Sequence, residues 1–157
     1  MKGVFVMSRE SRLFKSTVLN TQDTISHYEA FGWELLSING EQITMSRETQ
    51  NPVYSDLVKY QAIYEQIAEE YARLQPPVMP IAPPKIDAKT CFISFICFVL
   101  PCVAYLTYKF IQKKKYNEEM EYYNQRYTAY INKRNELRAK MEDTVLQSRT
   151  VFFSKQS

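Results

Sequence analysis

Glycine is scarce in this 157-residue chain: Gly3, Gly32 and Gly40 are all it has. Three isolated glycines cannot write a Gly-rich phosphate loop or a G-x-G-x-x-G turn. The single histidine, His27, removes most zinc sites and leaves a His-dependent triad only one candidate base. His27 could pair with Glu29 or Glu34 for acid/base work, but no motif places a nucleophile beside them, so it reads as an ordinary helix residue. Cys91, Cys97 and Cys102 all fall within one apolar stretch, which fits neither a disulfide framework nor a Cys-x-x-Cys knuckle. They read as small apolar packing residues, with Cys91 open to acylation by position alone. Glu118, Glu119 and Glu121 lack the oxygen-ligand spacing of a calcium loop. The sequence nominates no catalytic, cofactor-binding or metal-ligating residue, and the chain reads as non-enzymatic.

What the sequence does have is sorted by segment. The 20 basic and 17 acidic residues give a net charge of +3. Residues 1–75 carry −3, residues 76–108 +1 and residues 109–157 +5, so the two halves have opposite signs.

From Thr90 to Tyr108 run nineteen uncharged residues, TCFISFICFVLPCVAYLTY, closed by Lys89 and Lys109. As a helix they would reach about 28 Å, close to the ~30 Å hydrocarbon core of a bilayer. Tyr105, Tyr108, Lys109, Lys113, Lys114 and Lys115 form an aromatic and basic anchor at one end. A buried helix of a soluble domain would need a large apolar shell, and the rest of the chain is too small and too polar to supply it. The membrane segment is therefore assigned to residues 90–111. It is not a signal peptide, since no apolar run occupies the N-terminus. Pro101 removes one helix hydrogen bond, which membrane helices tolerate as a kink.

Orientation is in conflict. The lysines after the segment favour a cytoplasmic C-terminus at the cell membrane. A single pass would then put residues 1–89 outside, with no cleavable signal to carry them. The reading is a bent single pass continuing into the long C-terminal helix, and a hairpin that enters and leaves on one side is the alternative.

Residues 1–50 read as a small β-α-β-β domain of an α+β protein. KGVFVM is a short β-type run that RLFKSTVL continues or pairs with. Thr21 or Asp23 caps a helix through SHYEAF, and Gly32 ends it. WELLSI and EQITMS flank Asn39-Gly40, a strong hairpin signal of the type that puts both turn residues at positive φ. That turn sets Ile38 opposite Glu41 and Leu36 opposite Ile43. Leu36, Ile38, Ile43 and Met45 then share the core face, while Trp33 and Leu35 point the other way. Helix 54–74 or a second copy of the chain would have to cover that second face.

The piece HYEAFGWELLSINGEQITMSR resembles a family of small bacterial domains of unknown function, marked by a Gly-Trp-Glu-Leu step from helix into hairpin. The matching positions are Gly32, Trp33, Glu34, Leu35 and Arg47, within residues 27–47. The resemblance implies a β-α-β-β fold and a bacterial source, and brings no catalytic residues.

Asn51-Pro52 opens a helix over 52–75, with Leu57, Tyr60, Tyr64, Ile67, Tyr71 and Leu74 on a heptad seam. Residues 76–89 follow as a stiff Pro-rich spacer: five of the seven prolines lie in QPPVMPIAPP. Residues 112–150 form a long basic helix with Tyr116, Met120, Tyr123, Tyr127, Tyr130, Leu137 and Met141 on one seam and Arg134 interrupting it. The tail 151–157 carries no assignment. Lys113-Lys114-Lys115 reads as a topology signal meeting anionic lipid rather than as a nucleic-acid patch. Were the acidic helix and the basic helix on one side of the membrane, their seams could pack as an antiparallel hairpin.

The function these features favour is a membrane-anchored scaffold or adaptor. Its partners would be membrane lipid and a protein or second copy, met through Trp33, Leu57, Tyr60, Tyr64, Ile67, Tyr71, Tyr123, Tyr127 and Tyr130. The alternative is a membrane-bound sensor whose small domain binds a ligand near Trp33.

Overall fold

The computed structural model describes residues 8–16, 20–85 and 99–154. The β-type run KGVFVM and residues 90–98 of the apolar segment lie outside the described residues, as do the side chains of Pro101 and all three cysteines. The architecture is α+β, in the order β1 (Arg9–Lys15), α1 (Thr21–Glu29), β2 (Trp33–Asn39), β3 (Gln42–Glu48), α2 (Tyr54–Arg73) and α3 (Val99–Ser154). The chain divides into two units, one of residues 1–74 with 133–157 and one of residues 75–132.

The first unit is built on an antiparallel sheet in the order β1-β3-β2. Asn20, rather than Thr21 or Asp23, caps α1: its Oδ1 accepts from the Asp23 amide at 2.8 Å. Gly32, with φ +81°, turns the chain into β2. The positive φ favours glycine at this step, and a Cβ there would stand 3.1 Å from Leu57 Cδ1, a close contact that the leucine would have to ease by a few tenths of an ångström.

The hairpin differs from the expected one by one residue. Asn39 pairs with Gln42, so the loop is Gly40-Glu41 and only Gly40 has positive φ, +60°. That is the pattern of a type II′ turn, which needs glycine at its first central position and nothing unusual at its second. The register also breaks between Leu35 and Ser37, leaving Leu36 as a bulge residue. A bulge inverts the alternation of sides along a strand. Trp33 therefore joins Ile43 and Met45 in the core, with exposures of 3%, 0% and 0%. Leu36 and Ile38, expected inside, are 56% and 51% exposed.

One core contains Phe14, Ile25, Phe31, Trp33, Ile43, Met45 and Tyr64 together with Met141 and Val145 from α3. Helix α2 supplies the buried Leu57, Gln61 and Tyr64. Its opening turn is held by Asn51, whose side chain accepts from the Val53 amide and whose carbonyl accepts from the Tyr54 amide. The end of α3 is fastened to α1: Ser148 Oγ donates to Ala30 O at 2.8 Å, and Arg149 donates to Ser26 O and Oγ. Ala30 is the C-cap of α1, so Ser148 satisfies a carbonyl exposed by the helix end. The tail Val151–Ser154 continues α3.

The second unit is the Pro-rich segment laid along α3. Pro77, Pro80 and Pro83 are half-buried while their neighbours are exposed. A repeat of three is that of a polyproline II helix, which shows one side to a surface at every third residue. On the first half of α3, Tyr105, Lys109, Gln112, Tyr116, Met120 and Tyr123 are half-buried and spaced as one helix stripe. Pro77–Ile81 share a groove with Tyr122, Tyr123 and Arg126, and Ala82–Lys85 share one with Lys109, Lys113 and Tyr116. The segment thus runs antiparallel to the helix. Among the described residues, no helix is long and apolar enough to cross a membrane.

Candidate functional site

Two places combine unusual chemistry with defined geometry. The first lies where the residues of the Gly-Trp-Glu-Leu step meet β3. Trp33 and Arg47 are a cross-strand pair, and the Arg47 guanidinium lies 4.5 Å from the indole centroid. Arg47 is only 5% exposed. It is held by Glu10 Oε1 at 2.6–2.7 Å, by Phe31 O at 3.2 Å and by Gln61 Oε1 at 2.9 Å. Gln61 Oε1 also accepts from Trp33 Nε1 at 2.9 Å, and Gln61 Nε2 donates to Glu65. A buried charge is tolerated when paired and fully hydrogen-bonded, as here. The indole N–H is spent on Gln61, so Trp33 has no free donor for a ligand.

A second contact involves the half-buried His27. His27 Nδ1 and the Tyr64 hydroxyl are hydrogen-bonded at 2.8 Å, with their rings edge to face. Burial lowers the His27 pKa, opposed by Asp23 and Glu142 and reinforced by Arg149 and Arg138. Burial also raises the pKa of Tyr64. The imidazole is therefore held neutral against a phenol that keeps its proton. The contact holds α1 against α2.

The α2 seam is covered by the chain itself. Leu57 and Tyr64 are 1% and 3% exposed, while Tyr60, Ile67 and Tyr71 pack half-buried against the same core. Tyr71 accepts from Arg134 Nε at 2.7 Å, and Lys133 pairs with Glu70 at 3.3 Å. The antiparallel meeting of the acidic and basic helices is thus present, carried by these contacts and by Met141 and Val145. The sequence reading missed Gln61, Val145 and Ser148; the last two continue the Leu137-Met141 spacing, a signal that could have found them.

The second place is the basic end of the Pro-rich segment. Lys109 Nζ donates to Pro84 O at 3.4 Å and lies 5.7 Å from the Tyr105 ring. Pro84, six residues before Thr90, and Lys109, just after Tyr108, are thereby brought together. Around them Val103, Leu106, Tyr108, Phe110 and Ile111 are 42–70% exposed. Lys113, Lys114 and Lys115 are exposed, the last paired with Glu119 at 3.8 Å. Farther along α3, Tyr123, Tyr127 and Tyr130 form a ladder with centroids 5.8 and 6.1 Å apart. Tyr127 is 42% exposed, whereas Tyr123 and Tyr130 are half-buried.

Two outcomes follow from this chemistry. Arg47→Met strands Glu10 and the Phe31 carbonyl and leaves Gln61 Oε1 with Trp33 alone, and should lower unfolding free energy in urea by about 3–5 kcal/mol. Arg73→Met, which breaks the exposed Arg73–Glu69 pair, should change it by less than about 1 kcal/mol. Because folded His27 binds a proton less readily than the unfolded residue, whose pKa is near 6.5, stability falls as pH drops through that value. The loss levels off below the folded-state pKa. Urea midpoints taken from about pH 7.5 down to about pH 5.5 should show this slope, and His27→Gln should flatten it.

Compared with family models, with curated proteins and with solved structures, the chain finds no match.

Proposed function

We propose that this chain is a non-enzymatic, membrane-anchored adaptor whose apolar segment Thr90–Tyr108 enters and leaves the bilayer on the same side. The observation that carries the reading is the meeting of the segment's flanks, Lys109 Nζ against Pro84 O. A chain that crossed once would hold Lys85 and Lys109 about 30 Å apart, on opposite faces of the hydrocarbon. The first unit supports the same reading, since residues before the segment and residues after it share one core. A one-sided anchor also removes the conflict over orientation: Lys85, Lys109, Lys113, Lys114 and Lys115 can all face the anionic cytoplasmic leaflet.

In this reading the α+β unit is the head that the anchor holds at the surface. The residues left for a protein partner differ from those the α2 seam suggests, because that seam is filled. Leu13, Leu36 and Ile38 on the sheet and Leu146 and Phe153 on α3, each more than half exposed, are apolar side chains the head leaves open. The sensor reading has less support, because the space around Trp33 is occupied by Phe14, Arg47 and Gln61.

The test is flotation of the purified full chain with phosphatidylcholine vesicles, followed by alkaline carbonate washing. The chain should float and resist the wash. The double variant Val103→Asp/Leu106→Asp should lose flotation while its Trp33 emission, which reports the head, stays unchanged. Flotation that survives the double variant, or a native chain that does not float, would contradict the anchor.

A further inference from the structure

We infer that the groove between the Pro-rich segment and α3 is a binding site for the phosphate of an anionic phospholipid headgroup. The inference rests on the membrane anchoring proposed above, and adds to it a defined site with a defined ligand chemistry.

The groove encloses a cavity of about 390 Å³ lined by Pro84, Lys85, Lys109, Lys113, Tyr116 and Asn117, among others. Three lysines from two separate stretches of chain, Lys85, Lys109 and Lys113, are among its lining residues. Among the described residues, no carboxylate lies within ion-pair distance of Lys85, Lys109 or Lys113. Lys115, two residues on from Lys113, has taken Glu119 as its partner. Like charges gathered around one concavity without a neutralising acid raise the local concentration of anions there. Lys109 is held in place by the Pro84 carbonyl and the Tyr105 ring, so the groove is partly organised before any ligand arrives. Tyr116 and Asn117 add neutral donors of the kind that complete the coordination of phosphate oxygens.

Position selects the lipid as the source of the phosphate. The groove adjoins the exposed apolar belt of Val103, Leu106, Tyr108, Phe110 and Ile111. Tyrosines and lysines beside such a belt mark headgroup depth. A phosphodiester at that depth would meet the lysines while its acyl chains lie along the belt.

The test compares two double variants of the full chain that carry the same change in charge. One is Lys85→Gln/Lys113→Gln, inside the groove. The other is Lys114→Gln/Lys115→Gln, outside its lining. Binding is measured to vesicles of pure phosphatidylcholine and to vesicles containing phosphatidylglycerol, with and without inorganic phosphate. The native chain should prefer the phosphatidylglycerol vesicles at least tenfold. The groove variant should lose that preference, whereas the outer variant, which removes the same charge from the anchor without touching the lining, should lose only part of it. Equal losses in both variants would mean diffuse attraction and would overturn the site. Full competition by millimolar inorganic phosphate would assign the groove to a free anion and overturn the lipid source. Equal binding of the native chain to both vesicles overturns the site but leaves the anchor. Binding to neither overturns the anchor itself.

Discussion

Met141 and Val145 share a core with Phe31 and Tyr64, and the larger features of the molecule depend on that contact. It joins the end of the chain to its beginning across the whole apolar segment. Burying two such side chains contributes about 1.5–3 kcal/mol each, and the entropy of closing a long loop grows only slowly with its length. The contact is reinforced by Ser148 on the Ala30 carbonyl and by Arg149 on Ser26. A head assembled from both ends of the chain constrains what lies between them. The proposed one-sided anchor follows from this constraint and from the Lys109–Pro84 bond, each observed within a single unit.

Tyrosine is the residue that makes these packings possible. Each ring fills apolar space, and each hydroxyl finds a partner at the rim. Tyr64 meets His27, Tyr71 meets Arg134 and Tyr28 meets Glu65. In the second unit, the stripe of Tyr105, Tyr116 and Tyr123 belongs to the side of α3 that carries the Pro-rich segment. Aromatic grooves recognise polyproline helices in many complexes because the extended ligand has little entropy left to lose. Here ligand and groove belong to one chain, and five prolines make the return path stiff. The expected spacer is a strap packed on its own helix.

Much of the head was legible in the sequence. The α1 and α2 helices, the hairpin and the long C-terminal helix follow from periodicity, Asn51 and Gly40. The register was not legible. Asn39-Gly40 suggests a turn with two positive-φ residues, but a turn needing only Gly40 is available one step later, and a bulge at Leu36 then reverses which side chains face inward. A bulge leaves no mark in alternation, so Trp33 was expected outside. Gln61 was illegible for another reason: a polar residue on a helix becomes a core residue only when Arg47 and Trp33 bring their donors to it. The α2 seam could be read, but its partner could not. Heptad spacing says that a face is covered, not whether a second copy or the chain itself covers it.

The central claim is that the two ends of the chain lie on the same side of one membrane. It is tested most directly by protease accessibility of separate tags at Met1 and Ser157 in sealed vesicles of defined orientation. The account predicts that both tags are cleaved together or protected together, whichever way the vesicles face. Cleavage of one tag with protection of the other would contradict it, because the core of Phe31, Tyr64, Met141 and Val145 could not then form.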